Sequence, residues 1–425
     1  MTANDAFIVG AVERTIEAEL DSTTSLEQER VQASVLLRYH RFMASGVSSV
    51  TLLRARHAEF LWDAVDAGVG VSSSLDALQT WLCYWTLNAL DLLDELDRDD
   101  SDDDDDDHDD YDANENSFRV HMANRVAAHL ALRQHRDGGF CGFPCDALPH
   151  LASTYAAVNA LVIMGTDAAL ATIDRRGMQR FLLDRKCART GGFSMHVDGE
   201  IDVRGVYCAM SIAALLNIAT PALLEGAGAF LVSCQSYEGG LGGTPGGEAH
   251  GGYSYCGLAA ALLIEELRAS LGMAPEPHPL DYERLLHWVS RRQMPAEGGF
   301  QGRTNKLVDS CYSWWQGAVF ALLHRKLRIG SEQLLCNAVQ LQAYVFICCQ
   351  DEDGGLFDKP GRQADFYHTC YALSGVAAIQ WGGGGGERVV LGAAANELPE
   401  IDLLHCMRRE RAEHARQVFQ TQRLV

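Results

Sequence analysis

The amino-acid sequence predicts an all-α protein, an α/α toroid in which six helical hairpins surround a central apolar cavity. Three features predict this fold: a recurring Gly-Gly pair, amphipathic helices before the pairs, and an almost entirely apolar helix after each pair. A helix that is apolar all round is buried on all sides, whereas an amphipathic helix buries only one face, so the two kinds should form two layers. An open superhelix of the same hairpins is the structural alternative.

The Gly-Gly pairs recur at intervals of 48 to 59 residues, and each pair is followed by Phe or Leu. A repeat of this length is the signature of a fold built from one helical unit used many times. Glycine pairs between helices indicate turns in which the backbone has a positive φ or approaches another segment closely. The first glycines of the five pairs are Gly138, Gly191, Gly239, Gly298 and Gly354.

Six apolar stretches predict the buried layer of helices. They are residues 81–93, 153–164, 205–216, 253–267, 311–323 and 367–379. A polar residue stands 11 to 13 residues after the first glycine of each pair, close to the start of the next apolar helix. Polar groups that converge on an apolar cavity are the usual mark of a site, so these residues predict an active rim. They are His150, Arg204, His250, Asp309 and Asp365.

The composition excludes several classes of function. A net charge of −22 over 425 residues argues against nucleic acid as a partner. No apolar stretch is long enough to span a bilayer, so we expect no stable membrane insertion. The N-terminal residues lack a basic segment followed by a long apolar one, which predicts no signal peptide and a cytoplasmic location. The 13 cysteines are scattered through apolar segments, as reduced core thiols are.

Much of the negative charge lies in one run. Residues 97–112 contain twelve Asp against one Arg, so we expect residues 97–116 to form a disordered acidic loop. The sequence DDSDD inside the run matches a Mg²⁺-binding pattern, but a run this acidic matches it by composition alone. The rest of the chain is expected to be one domain over 1–425, with the toroid at about 60–385 and terminal extensions at 1–35 and 385–425.

Three residues predict a metal site. Asp309 and Cys311 stand two residues apart at the head of one apolar helix, and His368 stands at the same rim in the next repeat. Mixed oxygen, sulfur and nitrogen ligands suit tetrahedral Zn²⁺, and three protein ligands leave the fourth position open, as in catalytic sites. Cys370 is a competing ligand, although it points to a different side of its helix.

A cationic group lies beside these residues. His250, Arg303, Lys306 and Arg204, together with the phenol of Tyr312, indicate an anion site that would fit a diphosphate. Aromatic residues in the predicted apolar helices are core residues by default, but below a cationic rim they equally suit a long apolar chain. They are Trp81, Trp85, Tyr155, Tyr207, Tyr253, Trp314 and Trp315.

Six motifs between Leu75 and Gln380 resemble those of protein farnesyltransferase β subunits. They are WLCYW, PHLASTYAAVNAL, DVRGVYC, EAHGGYSYCGLAAAL, QGRTNKLVDSCYSWWQ and GGLFDKPGRQADFYHTCYALSG, in this order. The resemblance implies a zinc-dependent transfer of a farnesyl group from farnesyl diphosphate to the cysteine of a C-terminal Cys-a-a-X motif. It also implies a heterodimer with a helical-repeat α subunit, and substrates such as small GTPases.

The resemblance assigns roles to single residues. Asp309, Cys311 and His368 would be the zinc ligands, and Asp358 matches a family carboxylate associated with Mg²⁺ on the diphosphate. The diphosphate would be held by His250, Arg303, Lys306 and Tyr312. The isoprenoid would be flanked by Arg204, Tyr207, Gly252, Tyr253, Cys256 and Trp315. The peptide would contact Trp81, Trp85, Ala152, Arg204 and Tyr367.

Two alternatives remain at this point. The first is a type I geranylgeranyltransferase β subunit, with the same fold and chemistry but a 20-carbon donor. The bulk of Trp81, Tyr155 and Tyr207 favours the 15-carbon donor, because large side chains should shorten the cavity. The second alternative is a toroid without catalytic activity, which would not need Asp309, Cys311 and His368 together.

Overall fold

The computed structural model describes residues 22–47, 49–66, 78–97, 118–144, 148–330, 335–382, 388–422 and 424. Apart from Asp97, the acidic run 97–112 lies outside these residues, and so do the remaining residues of the predicted 97–116 loop. Among the helices in the described ranges, none is both long and apolar enough to cross a bilayer.

Helices dominate the described chain. The α-helices in chain order are α1 Thr23–Ala44, α2 Arg54–Asp66, α3 Gln79–Leu92, α4 Phe118–Ala131, α5 Leu151–Met164, α6 Asp167–Ala171, α7 Arg175–Arg185, α8 Val203–Leu215, α9 Pro221–Leu224, α10 Ala227–Ser233, α11 Gly251–Ser270, α12 Tyr282–Val289, α13 Tyr312–Trp315, α14 Gly317–Lys326, α15 Ala338–Ala343, α16 Phe366–Gln380 and α17 Arg409–Thr421. A π-helix spans Tyr344–Cys348 and a 3₁₀-helix spans Ala394–Asn396. Two short strands are β1 Ile401–Asp402 and β2 Met407–Arg408.

The chain divides into two compact units. The first comprises Met1–Trp62, Cys234–Leu258 and Leu280–Leu403, and the second comprises Asp63–Ser233, Ala259–Pro279 and Leu404–Val425. In the second unit the apolar helix α5 packs between α3 and α8, and in the first unit α13 packs on α16. Each unit therefore has its own layer of buried helices.

The predicted difference between apolar and amphipathic helices is present. Every residue of α5 except Ala152 is buried. In the amphipathic helix α12, by contrast, only Leu285, Trp288 and Val289 are buried. Because three residues spaced along one face suffice to anchor such a helix, α12 covers the core rather than forming it.

One predicted apolar helix is broken. Residues 311–323 form α13 and α14, with Gln316 between them at a φ of −105°. The side chains around the break are closely packed: a Cβ on Gly251 would lie closer than 3.0 Å to the Gln316 amide. The apolar pattern continues through the break because both helices are buried, so the sequence does not reveal it.

The glycine pairs allow helices to touch through their backbones. The first glycine of every pair has a positive φ, between 78° and 106°. A Cβ on any of these glycines would lie closer than 3.0 Å to a backbone carbonyl oxygen of another segment, so a larger residue does not fit. The five carbonyls belong to Gly177, Gly226, Arg284, Gln340 and Arg56, for Gly138, Gly191, Gly239, Gly298 and Gly354 respectively.

A glutamine before four of the pairs clamps the backbone where another helix begins. The amide of Gln293 accepts from Asn337 N at 2.8 Å and donates to Asn337 O at 2.9 Å, just before α15. Gln350 does the same before α2, accepting from Leu53 N at 2.8 Å and donating to Thr51 O at 3.0 Å. Thus the last glycine pair uses helix α2, near the N-terminus, where each earlier pair uses a segment later in the chain. The other clamps are Gln134 at Asp174 and Gln235 at Asp281.

Several C-terminal residues belong to the core, although the sequence predicts a terminal extension at 385–425. In the second unit, hydroxyl groups of Tyr84, Tyr155 and Tyr207 donate to the carbonyls of Cys406, His405 and Leu404, at 2.7, 3.1 and 3.0 Å. In the first unit, the Tyr255 hydroxyl donates to Leu403 O at 3.1 Å. Helix α17 then packs on α5 and α8. Backbone carbonyls are the acceptors, so no sequence pattern marks them.

The clamp at Gln350 yields a prediction about stability. Its amide bonds to Leu53 N, Thr51 O and Phe346 O and lies 2.9 Å from His57 Nε2, and the residue is buried. Gln350→Ala should lower the free energy of unfolding by about 2–4 kcal/mol, because partly or fully buried backbone groups lose their partners. Urea denaturation followed by circular dichroism measures the change.

A matched control uses the exposed Gln363. Gln363→Ala should change stability by no more than about 0.5 kcal/mol. Equal denaturation midpoints for both variants would show that the clamp does not hold α2.

Candidate active site

The predicted rim residues cap the apolar helices. A buried helix start leaves backbone N–H groups without partners, and a side-chain acceptor just before the helix satisfies one of them. Each of five apolar helices, or the turn that leads into it, begins at such an acceptor. The caps, with the N–H they accept from, are His150 from Ala152 at 3.1 Å, Asp202 from Arg204 at 2.8 Å, His250 from Gly252 at 3.1 Å, Asp309 from Cys311 at 2.8 Å and Asp365 from His368 at 2.8 Å.

One member of the predicted series is different. The count from the glycines selected Arg204, but the cap is Asp202, two residues earlier. Arginine carries only donors, so it cannot accept from a backbone N–H. Its guanidinium instead folds back on Asp202, with Nη2 2.6 Å from Oδ2, and reaches Glu200 at 3.5 Å. Arg204 is therefore a half-exposed cation held by two carboxylates.

The predicted metal ligands come together in the first unit. One ligand atom from each of Asp309, Cys311 and His368 lies within 4.8 Å of the others, and His368 Nε2 is 3.4 Å from Asp309 Oδ1. Ligands about 2.0–2.3 Å from a tetrahedral zinc ion are about 3.3–3.8 Å apart, so these residues fit that ion with small adjustments. The competing candidate, Cys370, is fully buried and is not part of the cluster.

Neighbouring groups orient two of the three ligands, His368 and Cys311. Asp365 Oδ2 lies 2.7 Å from His368 Nδ1, which directs the other ring nitrogen, Nε2, toward Asp309 and Cys311. A carboxylate that bonds to the ring nitrogen facing away from the metal fixes the tautomer and the ring orientation of a histidine ligand. The hydroxyl of Tyr367 hydrogen-bonds to the Cys311 sulfur and accepts from Trp315 Nε1 at 3.0 Å. A carboxylate three residues before a histidine is the sequence signal for the first of these contacts.

Burial and charge set the protonation of the metal-free cluster. Burial raises the pKa of the Cys311 thiol well above its usual value, and the charge of Asp309 raises it further. Burial alone would lower the pKa of His368, but hydrogen bonds to Asp309 and Asp365 raise it to about 9. Burial alone would raise the pKa of Asp309, but the hydrogen bond and charge of His368 lower it overall. At neutral pH the cluster thus contains a thiol, an imidazolium and a carboxylate.

A second group surrounds His250. Its Nδ1 accepts from Gly252 N, which leaves the proton of the neutral ring on Nε2, 2.9 Å from the Tyr312 hydroxyl. Burial lowers the pKa of His250, and the charge of Arg303 lowers it further. A Cβ on Gly302 would lie closer than 3.0 Å to the Tyr312 ring, so glycine is required where the ring rests.

Two of the predicted diphosphate cations, Arg303 and Lys306, lie on one loop of the first unit. Arg303 forms an ion pair with Glu248, and Lys306, three residues further on, is exposed. Asp358 forms an ion pair with its neighbour Lys359, a partner not predicted from the sequence. Burial raises the pKa of Asp358, and the charge of Asp309 raises it further. The carboxylate therefore lies within electrostatic reach of the metal cluster.

The aromatic residues form two groups, one in each unit. In the first unit Trp315 stacks near Tyr371 at 4.5 Å and Tyr255 at 5.5 Å, and Tyr253 lies 5.5 Å from His250, measured between ring centroids. Cys256, which lies on helix α11 with Tyr253, is buried.

In the second unit the Trp81 ring lies 5.4 Å from Trp85 and 5.9 Å from Tyr155, and Tyr155 lies 5.4 Å from Tyr207. Tyr84 is not among the residues predicted from the sequence; its ring lies 5.7 Å from that of Tyr155, and it is one helical turn after Trp81. Arg204 and Ala152 belong to this unit as well.

Comparisons with known proteins identify the fold. The family described as Prenyltransferase alpha-alpha toroid domain matches residues 52–407. Among solved structures, Candida albicans protein geranylgeranyltransferase-I complexed with GGPP matches with a TM-score of 0.64 at 20% identity, covering 86% of this chain and 98% of that one. The predicted α/α toroid is therefore confirmed, and the match extends through the C-terminal residues that accept from Tyr84, Tyr155 and Tyr207.

Curated relatives narrow the family. The protein farnesyltransferase subunit beta of Arabidopsis thaliana is 35% identical, over 92% of this chain and 89% of the relative. That of Pisum sativum is 37% identical, over 80% and 89%. The geranylgeranyl transferase type-1 subunit beta of Arabidopsis thaliana is 34% identical, over 62% and 70%. The chain therefore belongs to the protein farnesyltransferase β-subunit family of α-α toroid prenyltransferases.

Proposed function

We propose that this chain is the catalytic β subunit of a cytoplasmic heterodimer that moves a farnesyl group from farnesyl diphosphate to the cysteine of a C-terminal Cys-a-a-X motif. The observation that carries the proposal is the cluster of Asp309, Cys311 and His368, whose ligand atoms lie within 4.8 Å of one another. Two further features support it: the family match over most of the chain, and the neutral His250 beside the Tyr312 phenol. The partner would be an α subunit.

The cluster fits zinc rather than a hard cation. One thiol, one imidazole and one carboxylate match the mixed ligand sets of zinc sites, whereas Mg²⁺ prefers oxygen ligands. Three protein ligands leave a fourth position for a substrate thiol. A zinc ion held by these residues would lower the pKa of a coordinating thiol, so that a peptide cysteine would react as a thiolate. Asp365 and Tyr367 support the cluster by orienting His368 and bonding to Cys311.

The second group would receive the leaving diphosphate. In the transfer, the sulfur forms a bond to C1 of the isoprenoid as the bond between C1 and the diphosphate oxygen breaks, and diphosphate leaves with the electron pair. His250 Nε2–H donates to the Tyr312 oxygen, which frees the phenol proton to point at the departing anion. Burial raises the pKa of Tyr312, so the phenol remains a donor. Arg303 and Lys306 would supply positive charge.

Asp358 would hold Mg²⁺ on the diphosphate, in competition with Lys359, which is already paired with it. Mg²⁺ would have to displace the Lys359 ammonium group from the Asp358 carboxylate. The Mg²⁺ concentration required for activity should therefore depend on the strength of this ion pair.

The second-unit aromatic group would set the donor length. Tyr155 and Tyr207 bond to each other at 3.1 Å and to the carbonyls of His405 and Leu404. Their rings are therefore fixed, and a 20-carbon donor would have to displace packed side chains beside Trp81. A type I geranylgeranyltransferase is the alternative, supported by the 34% identity to the plant β subunit of that enzyme.

The metal assignment predicts that Cys311→Ala and His368→Ala each remove zinc and nearly all transfer activity. Isoprenoid binding should remain, because the donor is held by other residues. Zinc content is measured by atomic absorption on the full-length chain co-purified with an α subunit. The control is Cys370→Ala on the same helix as His368, which should retain full zinc. Full occupancy in both ligand variants would refute the assignment.

The protonation of the cluster predicts a pH dependence of zinc affinity. Zinc needs a thiolate and a neutral imidazole, so binding must release one proton from Cys311 and one from His368, whose pKa is about 9. The apparent zinc affinity should rise by about 100-fold per pH unit between about pH 6.5 and 8.5. Competition with a chelator of known proton affinity measures it. A rise of tenfold or less per unit would mean that one of the two groups is already deprotonated.

The donor assignment predicts that Trp81→Thr raises the use of the 20-carbon donor relative to the 15-carbon donor by about 10-fold or more. The smaller side chain removes the overpacking that the longer chain would cause. The ratio of kcat/KM values for the two donors is the measurement. The control is Trp85→Thr, one helical turn away. It should change the KM for the peptide more than it changes the ratio of the kcat/KM values for the two donors. A wild-type preference for the 20-carbon donor would favour the geranylgeranyl alternative.

A further inference from the structure

A glycine outside the cluster lies where the two ligand-bearing helices meet. Helix α16 crosses α13 at Gly375, and a Cβ there would lie closer than 3.0 Å to the carbonyl carbon and oxygen of Ser313 and to Trp314 N. We propose that Gly375 is a positioning residue for the metal site, because its missing side chain sets the helix separation at which His368 meets Asp309 and Cys311. The inference rests on the proposed zinc site.

The geometry of α16 connects Gly375 to His368. The two residues are seven positions apart, which is two helical turns or about 10.5 Å along one face. Ile379 continues this face, since a Cβ on Gly317 would lie 3.3 Å from Ile379 Cγ1. One side of α16 therefore carries the histidine ligand and also packs on α13 and α14. Any shift of the helix at Gly375 moves His368 as well.

The other two ligands lie on a turn outside α16, although Cys311 also bonds to Tyr367 of that helix. Ser310, between Asp309 and Cys311, donates from N to Asp358 O at 2.9 Å and from Oγ to Phe357 O at 2.8 Å. These bonds fix the turn that carries Asp309 and Cys311 to the segment at 357–358. The turn has a second anchor that does not involve α16, since Asp309 N donates to Phe300 O at 3.1 Å. If α16 moved away from α13, this anchor would retain the turn, and the distance from His368 to both ligands would increase.

The magnitude of the shift decides the outcome. Ordinary Cβ contacts are 3.4 Å or longer, and the atoms facing Gly375 are backbone atoms, which cannot rotate away. An alanine at 375 therefore has to separate the helices by at least about 0.4 Å, whereas metal–ligand distances tolerate about 0.2 Å. The chemical identity of the three ligands is unchanged, so a change in affinity reports geometry alone.

The test is the zinc affinity of Gly375→Ala, measured by chelator competition on the full-length chain co-purified with an α subunit. We expect a loss of about 10-fold or more. Binding of Co²⁺ supplies a second readout, because its visible ligand-field bands should shift and weaken if His368 no longer reaches the ion, whereas the charge-transfer band of the Cys311 thiolate should remain. The matched control is Gly205→Ala in α8, where a Cβ would also lie closer than 3.0 Å to a backbone oxygen, that of Phe193. It should lower the melting temperature comparably but leave zinc affinity within about twofold.

The outcomes separate this inference from the proposed function. If the wild-type chain binds no zinc, the proposed metal site is wrong. If wild type binds zinc and Gly375→Ala binds it equally well, only the positioning role is wrong. If Gly375→Ala does not fold, the test uses Gly317→Val instead. The valine side chain would press on Ile379, which lies on the same face of α16 as Gly375. Unchanged zinc affinity in Gly317→Val would then overturn the inference.

Discussion

Burying the starts of apolar helices is the constraint from which the site arises. The first N–H groups of a helix have no partner within it, and in a buried layer water does not supply one. This chain satisfies them with histidine and aspartate side chains, and three of those caps also lie in the candidate site. Asp309 is a metal ligand candidate, Asp365 orients His368, and His250 holds Tyr312. The polar residues of the site are thus part of the folding requirement of its helices.

Close contact at glycine residues is the second feature that the fold and the candidate site share. The paired glycines let one helix turn rest on the carbonyl of another, and Gly375 does the same beside the candidate metal cluster. Gly302 instead leaves room for the side-chain ring of Tyr312. Glycine costs conformational entropy in a helix, so its presence inside α16 needs a packing reason. The contact with the Ser313 backbone supplies one.

The electrostatics of the metal cluster follow from burial. A buried thiol keeps its proton, and the carboxylates of Asp309 and Asp365 stabilise a proton on His368. A divalent ion can replace both protons, which removes the penalty of the buried charges and leaves a single ordered arrangement. Lys359 plays a comparable part for Asp358, as a cation from the chain itself.

The sequence by itself determined the repeat, the apolar helices, the glycine turns and the three residues of the candidate metal cluster, because periodicity and residue type report how one segment is buried. Only the tertiary structure decided which segments meet. It gave the cap of α8 to Asp202 rather than Arg204, broke the helix at Gln316 and paired Lys359 with Asp358. It also placed the carbonyls of 403–406 on four tyrosines. These features depend on the distance between helices and on backbone acceptors, which every residue carries and no sequence pattern distinguishes.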